Sequence, residues 1–168
     1  VSVKVKASIE NKCAKGEYVF GQVPFGYEKS KEEKNAVIVN EREAEIVRYI
    51  FSLAVQGKTS VQIARQLCEE NVPTITQIRK PEKKYTDGKV RSWSATSIRR
   101  ILNNRFYLGE MAYGKSVCKS VGSQKTRALP KEDWKIIRNN HEALISEEIY
   151  DQVSSFRADC STTRNREK

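Results

Sequence analysis

Ser94-Ala-Thr-Ser-Ile-Arg-Arg-Ile-Leu-Asn-Asn104 decides how this chain folds. At about 100° per residue, Ile98, Ile101 and Leu102 gather on one side of a helix, and Thr96, Arg100 and Asn103 fall on the other. Ser97, Arg99 and Asn104 flank that second side. Ser94 has the hydroxyl that accepts from the free N–H groups of a first turn, so the helix starts there. The apolar seam needs a partner to pack against, and the outer face is polar and basic. Arg donates bidentately to guanine, Asn pairs with adenine, and Ser or Thr serves bases or phosphates. Thr96, Ser97, Arg99, Arg100 and Asn103 are therefore candidates for base readout. A solvated face is the plain alternative, and the surrounding sequence argues between the two.

Just upstream lies a dense positive field. Residues 76–105 hold nine basic side chains (Arg79, Lys80, Lys83, Lys84, Lys89, Arg91, Arg99, Arg100 and Arg105) against two acids, Glu82 and Asp87, a balance of +7 within a whole-chain net of +10. A basic field beside a small helix suits a polyanion, and nucleic acid leads because each neutralised phosphate releases condensed counterions. Arg79, Lys80, Lys83, Lys84, Lys89 and Arg91, with Ser94, Asn104 and Arg105 beside the helix, are candidate phosphate contacts, which give affinity without sequence choice. Asp87-Gly88 between Tyr85 and Val90 marks a turn, so the stretch from Pro73 to Ser92 reads as a hairpin-like or flexible basic loop.

Two helices precede that loop. Asn40 caps the first, Glu43 completes a capping box, and Ile46, Val47, Ile50, Phe51 and Ala54 form one apolar stripe up to Gly57. Lys58-Thr-Ser60 opens the second, with Thr59 and Gln62 as a box-like cap. Ile63, Ala64 and Leu67 line its buried side, and it ends near Asn71, before Pro73. Two helices joined by a short glycine-containing turn open a helix-turn-helix unit. The free N–H groups at the second helix start, with Lys58, Thr59 and Ser60, also suit a phosphate, alongside ordinary capping.

Further out the signals are shorter. Lys4, Lys6, Lys12 and Lys15 lie in a basic first segment, where Val5 and Ile9 share helical spacing and Gly16 is a stop; a frayed terminus fits equally well. Val23-Pro-Phe-Gly-Tyr27 is a turn, and Ala36-Val-Ile-Val39 is a strand. Tyr107 to Val121 turns strand-like, as does Trp134-Lys-Ile-Ile137. Ser146 caps a last helix with Ile149, Tyr150, Val153 and Phe156 on one side, and a polar tail after Asp159 reads as disordered. The expected fold is α+β: a mainly helical, helix-turn-helix-like DNA-binding domain with a small antiparallel β-sheet or hairpin. Residues 1–30 are the end of a linker helix and a connecting arm, 31–158 the DNA-binding domain, and 159–168 the tail.

Other chemistries find little support. Cys13, Cys68, Cys118 and Cys160 are too far apart for a zinc ribbon or a redox pair, and they read as free thiols. His141 is the single histidine, so no metal site or histidine relay is expected. No serine sits in a nucleophile elbow, Glu69-Glu70 and Glu147-Glu148 point to different faces, and no glycine-rich loop cradles a nucleotide. No catalytic residue, metal or cofactor is assigned. No run of about 18 apolar residues, signal-like stretch or lysine-rich amphipathic helix suggests a membrane.

The ordered blocks carry a resemblance. Pro24-Phe-Gly-Tyr27, Glu43-Ala-Glu-Ile-Val-Arg-Tyr-Ile-Phe51, Gly57-Lys-Thr-Ser-Val-Gln-Ile-Ala64, Leu67-Cys-Glu-Glu-Asn-Val-Pro-Thr74, Trp93 to Asn104 and Tyr107-Leu-Gly109 follow one another in order. Over roughly residues 16–157 this order resembles the "recombinase" DNA-binding domain of the large serine recombinases, the integrases and transposases of phages and mobile elements. The resemblance implies duplex DNA as partner, with the Ser94–Asn104 helix in the major groove of an attachment half-site. It implies that Lys4, Lys6, Lys12 and Lys15 lie on an arm crossing the minor groove. It also implies that the parent carries its serine nucleophile on a separate resolvase-like domain and assembles on DNA as dimers and tetramers, in the cytoplasm of a bacterial host. The start at Val1 rather than Met suggests a piece of such a parent. A zinc ribbon usually follows in that family, and the cysteine spacing here shows none. A stand-alone helix-turn-helix regulator is the alternative, and an RNA-binding domain a more distant one, because the strands lack a base-stacking motif.

Overall fold

The computed structural model describes residues 3–81, 92–118 and 126–166. In chain order the elements are α1 (Val3–Ala14), β1 (Tyr27–Lys29), β2 (Val37–Val39), α2 (Glu41–Val55), α3 (Ser60–Glu69), α4 (Ile75–Arg79) and α5 (Ala95–Leu102). A 3-10 turn (Arg105–Leu108), β3 (Met111–Tyr113), β4 (Ser116–Cys118), β5 (Thr126–Ala128), a second 3-10 turn (Lys131–Asp133), β6 (Lys135–Ile137) and α6 (Glu147–Arg166) follow. The α+β class expected from sequence is the class observed. The chain divides into two compact units: residues 1–44 with 105–144, and residues 45–104 with 145–168.

The first unit is built on aromatic rings. Tyr27 is the hub, with Phe106 edge-on at 5.2 Å, Tyr107 stacked at 6.1 Å and the His141 ring edge-on at 4.9 Å. Its hydroxyl donates to the Glu142 carbonyl at 2.8 Å, so a buried polar atom is satisfied while the ring packs. Gly26, at φ 99°, lets the chain turn into β1 and aims its N–H at the Glu43 carboxylate, 2.9 Å away. The capping box expected at the start of α2 is thus half made. Asn40 Oδ1 does accept from the Glu43 N–H at 3.2 Å, but the Glu43 side chain, 4% exposed, turns to Gly26. Among the described residues of the unit, three antiparallel strand pairs form, with Tyr27 opposite Val39, Met111 opposite Ile137 and Ser116 opposite Ala128. The expected strand from Tyr107 is corrected at its start, where Arg105–Leu108 forms a 3-10 turn that places Phe106 and Tyr107 in the aromatic cluster.

His141 stacks on Phe106 at 3.9 Å, and its Nε2 lies 2.7 Å from the Phe106 carbonyl oxygen. A carbonyl only accepts, so Nε2 carries the proton. Burial pushes the imidazole pKa below its ordinary 6.5, and the Phe106 bond only partly opposes this. The folded chain therefore binds fewer protons than the unfolded one around that pH. The contribution of His141 to stability is complete above about 6.5 and declines as pH falls below it. Urea midpoints from pH 8 to pH 5 should fall, and fall less in His141→Gln. Because this is the single histidine of the chain, parallel wild-type and variant curves would contradict the assignment.

The second unit is helical. Val47, Ile50, Phe51 and Ala54 of α2, Ile63, Ala64 and Leu67 of α3, and Ile98, Ile101 and Leu102 of α5 are buried, as their spacing predicts. Leu53 joins them. α3 packs against α5, and the Trp93 indole N–H donates to the Val72 carbonyl at 3.1 Å, fixing the approach to α5. Asn71, at φ 54°, ends the α3 region in the left-handed conformation that asparagine tolerates.

Three expectations are corrected here. The loop expected from Pro73 begins instead with α4, capped by a full Thr74–Gln77 box. Ile149 is 37% exposed, so the buried side of α6 rests on Tyr150 and Val153. α6 also runs on to Arg166, through residues expected to be disordered, and no glycine or proline interrupts 147–166. The Asp87-Gly88 turn lies outside the described residues.

Candidate nucleic-acid interface

α5 presents the face that its sequence predicts. Its seam of Ile98, Ile101 and Leu102 is buried, and Thr96, Arg99, Arg100 and Asn103 are exposed, with Ser97 and Asn104 half-buried. Ser94 is the N-cap: its Oγ accepts from the Ser97 N–H at 3.2 Å and lies 2.9 Å from the Ser97 Oγ. The two hydroxyls are thus already coupled at the helix start. Asn103 is the C-cap, and its Oδ1 accepts from Arg157 Nη1 at 2.6 Å. Burial lowers the Arg157 pKa, and the like charge of Arg99 acts in the same direction. A guanidinium nevertheless stays protonated.

The start of α3 is more committed to the fold than its sequence suggests. Thr59 Oγ1 accepts from the Gln62 N–H and the Gln62 side chain reaches back to the Thr59 N–H, so both box bonds are made. Lys58 donates to the Gln66 amide oxygen. Gln66 in turn donates to the Tyr49 hydroxyl at 3.0 Å and to Glu70 at 2.7 Å, and Tyr49 donates to Glu70 at 2.9 Å. These bonds, that of Gln66 first, hold the Glu70 carboxyl below its ordinary range. Lys58 is therefore half-buried beside a carboxylate, while Ser60 is half-buried at the first turn.

Arg79 is half-buried and Lys80 exposed at the end of α4. Lys83, Lys84, Lys89 and Arg91 lie outside the described residues. Arg105 has an internal partner: its Nε and an Nη donate to Glu110 at 2.6 and 3.0 Å. Glu110 is 7% exposed, and Arg105 holds its carboxyl below the ordinary range, with Arg138 adding a weaker field. Arg105, expected at a phosphate, is in this structure the counter-ion of a buried carboxylate. On α1, Lys4 and Lys12 are exposed, as is Lys15 just beyond it; Lys6 belongs to α1, but its side chain is outside the described ones. Lys4 and Lys12 line a shallow groove with Ser8, Ile9 and Val19.

Sequence reasoning missed Arg157. Nothing in a helix pattern connects it with Asn103, 54 residues away. Among the described residues no three His, Cys, Asp or Glu side chains gather as a metal would require, and no helix is long and apolar enough to cross a membrane.

The family model described as Recombinase matches residues 41–159, more than half of the chain. A crystal structure of an LSR–DNA complex is similar to this fold with a TM-score of 0.61 at 16% identity, over 94% of this chain and 38% of that one. A structure concerned with the sequence requirements of the Listeria innocua prophage attP site is similar with a TM-score of 0.58 at 16% identity, over 94% of this chain and 52% of that one. The chain thus spans 38% and 52% of the length of these structures, and at such identity they speak to fold alone.

Proposed function

Since the chain belongs to the Recombinase family, we propose that it is the DNA-binding part of a site-specific serine recombinase and that it holds one duplex attachment half-site. The observation that carries this reading is α5, whose apolar seam is buried while Thr96, Arg99, Arg100 and Asn103 stand exposed. An eight-residue helix with two arginines on its outer face and an asparagine at its C-cap has the size and donors to read base edges in a major groove. Ser94 and Ser97 at its start, with Lys80 at the end of α4, supply polar and cationic contacts of the kind that set register on phosphates. Lys4, Lys12 and Lys15 on the exposed side of the first segment suit a minor-groove arm. The LSR–DNA and prophage attP neighbours lend this reading support.

In the parent, strand cleavage then belongs to a separate domain with a serine nucleophile. This chain supplies site choice, and dimers and tetramers of the parent bring sites together. Integration or transposition of a mobile element is the process such a half-site binder serves.

Selection from a randomised duplex library, followed by affinity measurements on the enriched and on random sequence, tests the reading. Arg100→Ala should lose about 1–3 kcal/mol of discrimination between the two, because a bidentate base contact is removed. The loss on random duplex should be much smaller. Equal loss on both would place Arg100 on the backbone and contradict base readout by α5.

A further inference from the structure

Arg157 projects from α6 to the C-terminal end of the candidate reading helix. Its Nη1 donates to Asn103 Oδ1 at 2.6 Å. A guanidinium has no acceptor, so the amide atom facing it must be the oxygen. The contact therefore fixes which way round the Asn103 amide sits. That matters because an amide reads a base through the order of its donor and acceptor: turned over, the same side chain presents the opposite pattern. A free, exposed asparagine would sample both orientations at little cost.

The surroundings of Arg157 favour such a role. It is half-buried and lies close enough to Arg99 to feel its charge, yet among the described residues no carboxylate pairs with it. A cation with no carboxylate partner among the described residues needs its stem packed and its N–H groups satisfied. α6 contacts α5, and the Asn103 carbonyl satisfies one of those N–H groups. The bond also crosses between two helices far apart in sequence, so it constrains the side chain without depending on the mobility of one loop.

We infer that Arg157 is a positioning residue for Asn103: by holding the amide in one orientation, it sets which base Asn103 selects. This rests on the proposal that the outer face of α5 reads DNA, and it adds a residue of α6 to the determinants of specificity. A direct phosphate contact by Arg157, or a purely structural strut, would leave the base preference at the Asn103 position untouched.

The test compares four proteins, each the whole 168-residue chain: wild type, Asn103→Ala, Arg157→Met, and the double variant. Each is taken through selection from the same randomised duplex library, with thermal melts alongside. Asn103→Ala should erase the preference at one base pair. Arg157→Met should weaken discrimination about tenfold at that same base pair and at no other. The double variant should match Asn103→Ala there, because a positioning residue has nothing to act through once its target is gone. If Arg157→Met does not fold, Arg157→Lys carries the comparison. A point charge without the planar fork holds the amide less firmly, so the same base pair should change by a smaller factor. Uniform loss across all duplexes with unchanged preferences would overturn the inference in favour of a phosphate contact. A change at a base pair that Asn103→Ala leaves alone would overturn it in favour of a base contact of Arg157 itself. A wild type that enriches no sequence would bring down the interface proposal instead. A wild-type preference indifferent to Asn103→Ala would remove Asn103 and Arg157 from readout while the rest of α5 stood.

Discussion

Ile98→Ala is expected to lower the free energy of unfolding by about 2–5 kcal/mol, because the side chain is fully buried and its removal leaves a cavity. α5 has only eight residues, too few to be helical alone in water. Its stability comes from the seam that packs on α3, and Ile98 is the most fully buried residue of that seam. The loss should appear as a lower urea midpoint with an unchanged slope. Duplex affinity should fall as well, since the outer face is aimed only while the seam is seated. Thr96→Ala, on the exposed side of the same helix, should stay within about 0.5 kcal/mol of wild type in stability. If Ile98→Ala unfolded at the wild-type midpoint, the helix would be facing the other way and the exposed arginines would lose their assignment.

Gly109→Ala should cost about as much, for a different reason. Gly109 sits at φ +78°, where a side chain costs about 1–3 kcal/mol. A Cβ there would also stand 2.7 Å from the His141 carbonyl oxygen, a backbone atom that cannot swing aside. That segment is tied down: the Asn140 N–H donates to the Gly109 carbonyl at 2.9 Å, and the His141 ring stacks on Phe106. Overpacking of this kind adds about 1–3 kcal/mol. The combined loss, about 2–6 kcal/mol, should again show in the urea midpoint. Gly21→Ala is the control, because nothing lies within 4 Å of its added Cβ, and it should change stability by less than about 0.5 kcal/mol. A well-folded, fully stable Gly109→Ala would mean that the turn after Tyr107 is built differently.

The parts legible in the sequence were those whose physics is local. The seams of α2, α3 and α5 follow from helical spacing, because burial on one side repeats every 3.6 residues and those helices are long enough to show it. The Thr59–Gln62 box was legible for the same reason, since cap and partner are three residues apart. The Thr74–Gln77 box has the same spacing, yet α4 behind it is five residues long and lies in a polar stretch that reads as loop. The strand expected from Tyr107 overlaps the end of the Arg105–Leu108 turn because four residues are too few to separate the two periods.

What sequence spacing could not supply was the choice of partner. Glu43 carries the signature of a capping box, but Gly26, 17 residues away, takes its carboxylate. Arg105 reads as one more cation in a basic stretch until Glu110 is seen buried against it. Asn103 reads as a free amide until Arg157 arrives from α6. In the candidate interface, residue types and exposure were therefore foreseen on α5, while the contacts that orient or withdraw individual side chains came only from the fold.

The most direct measurement is a titration of this chain against duplex DNA at several salt concentrations. Binding is expected at low ionic strength and should weaken linearly in log–log form, by about a thousandfold or more between about 50 and 200 mM salt, with a preferred sequence still distinguished from random duplex. A chain that left duplex DNA unbound at the lowest salt would contradict the proposed DNA-binding role.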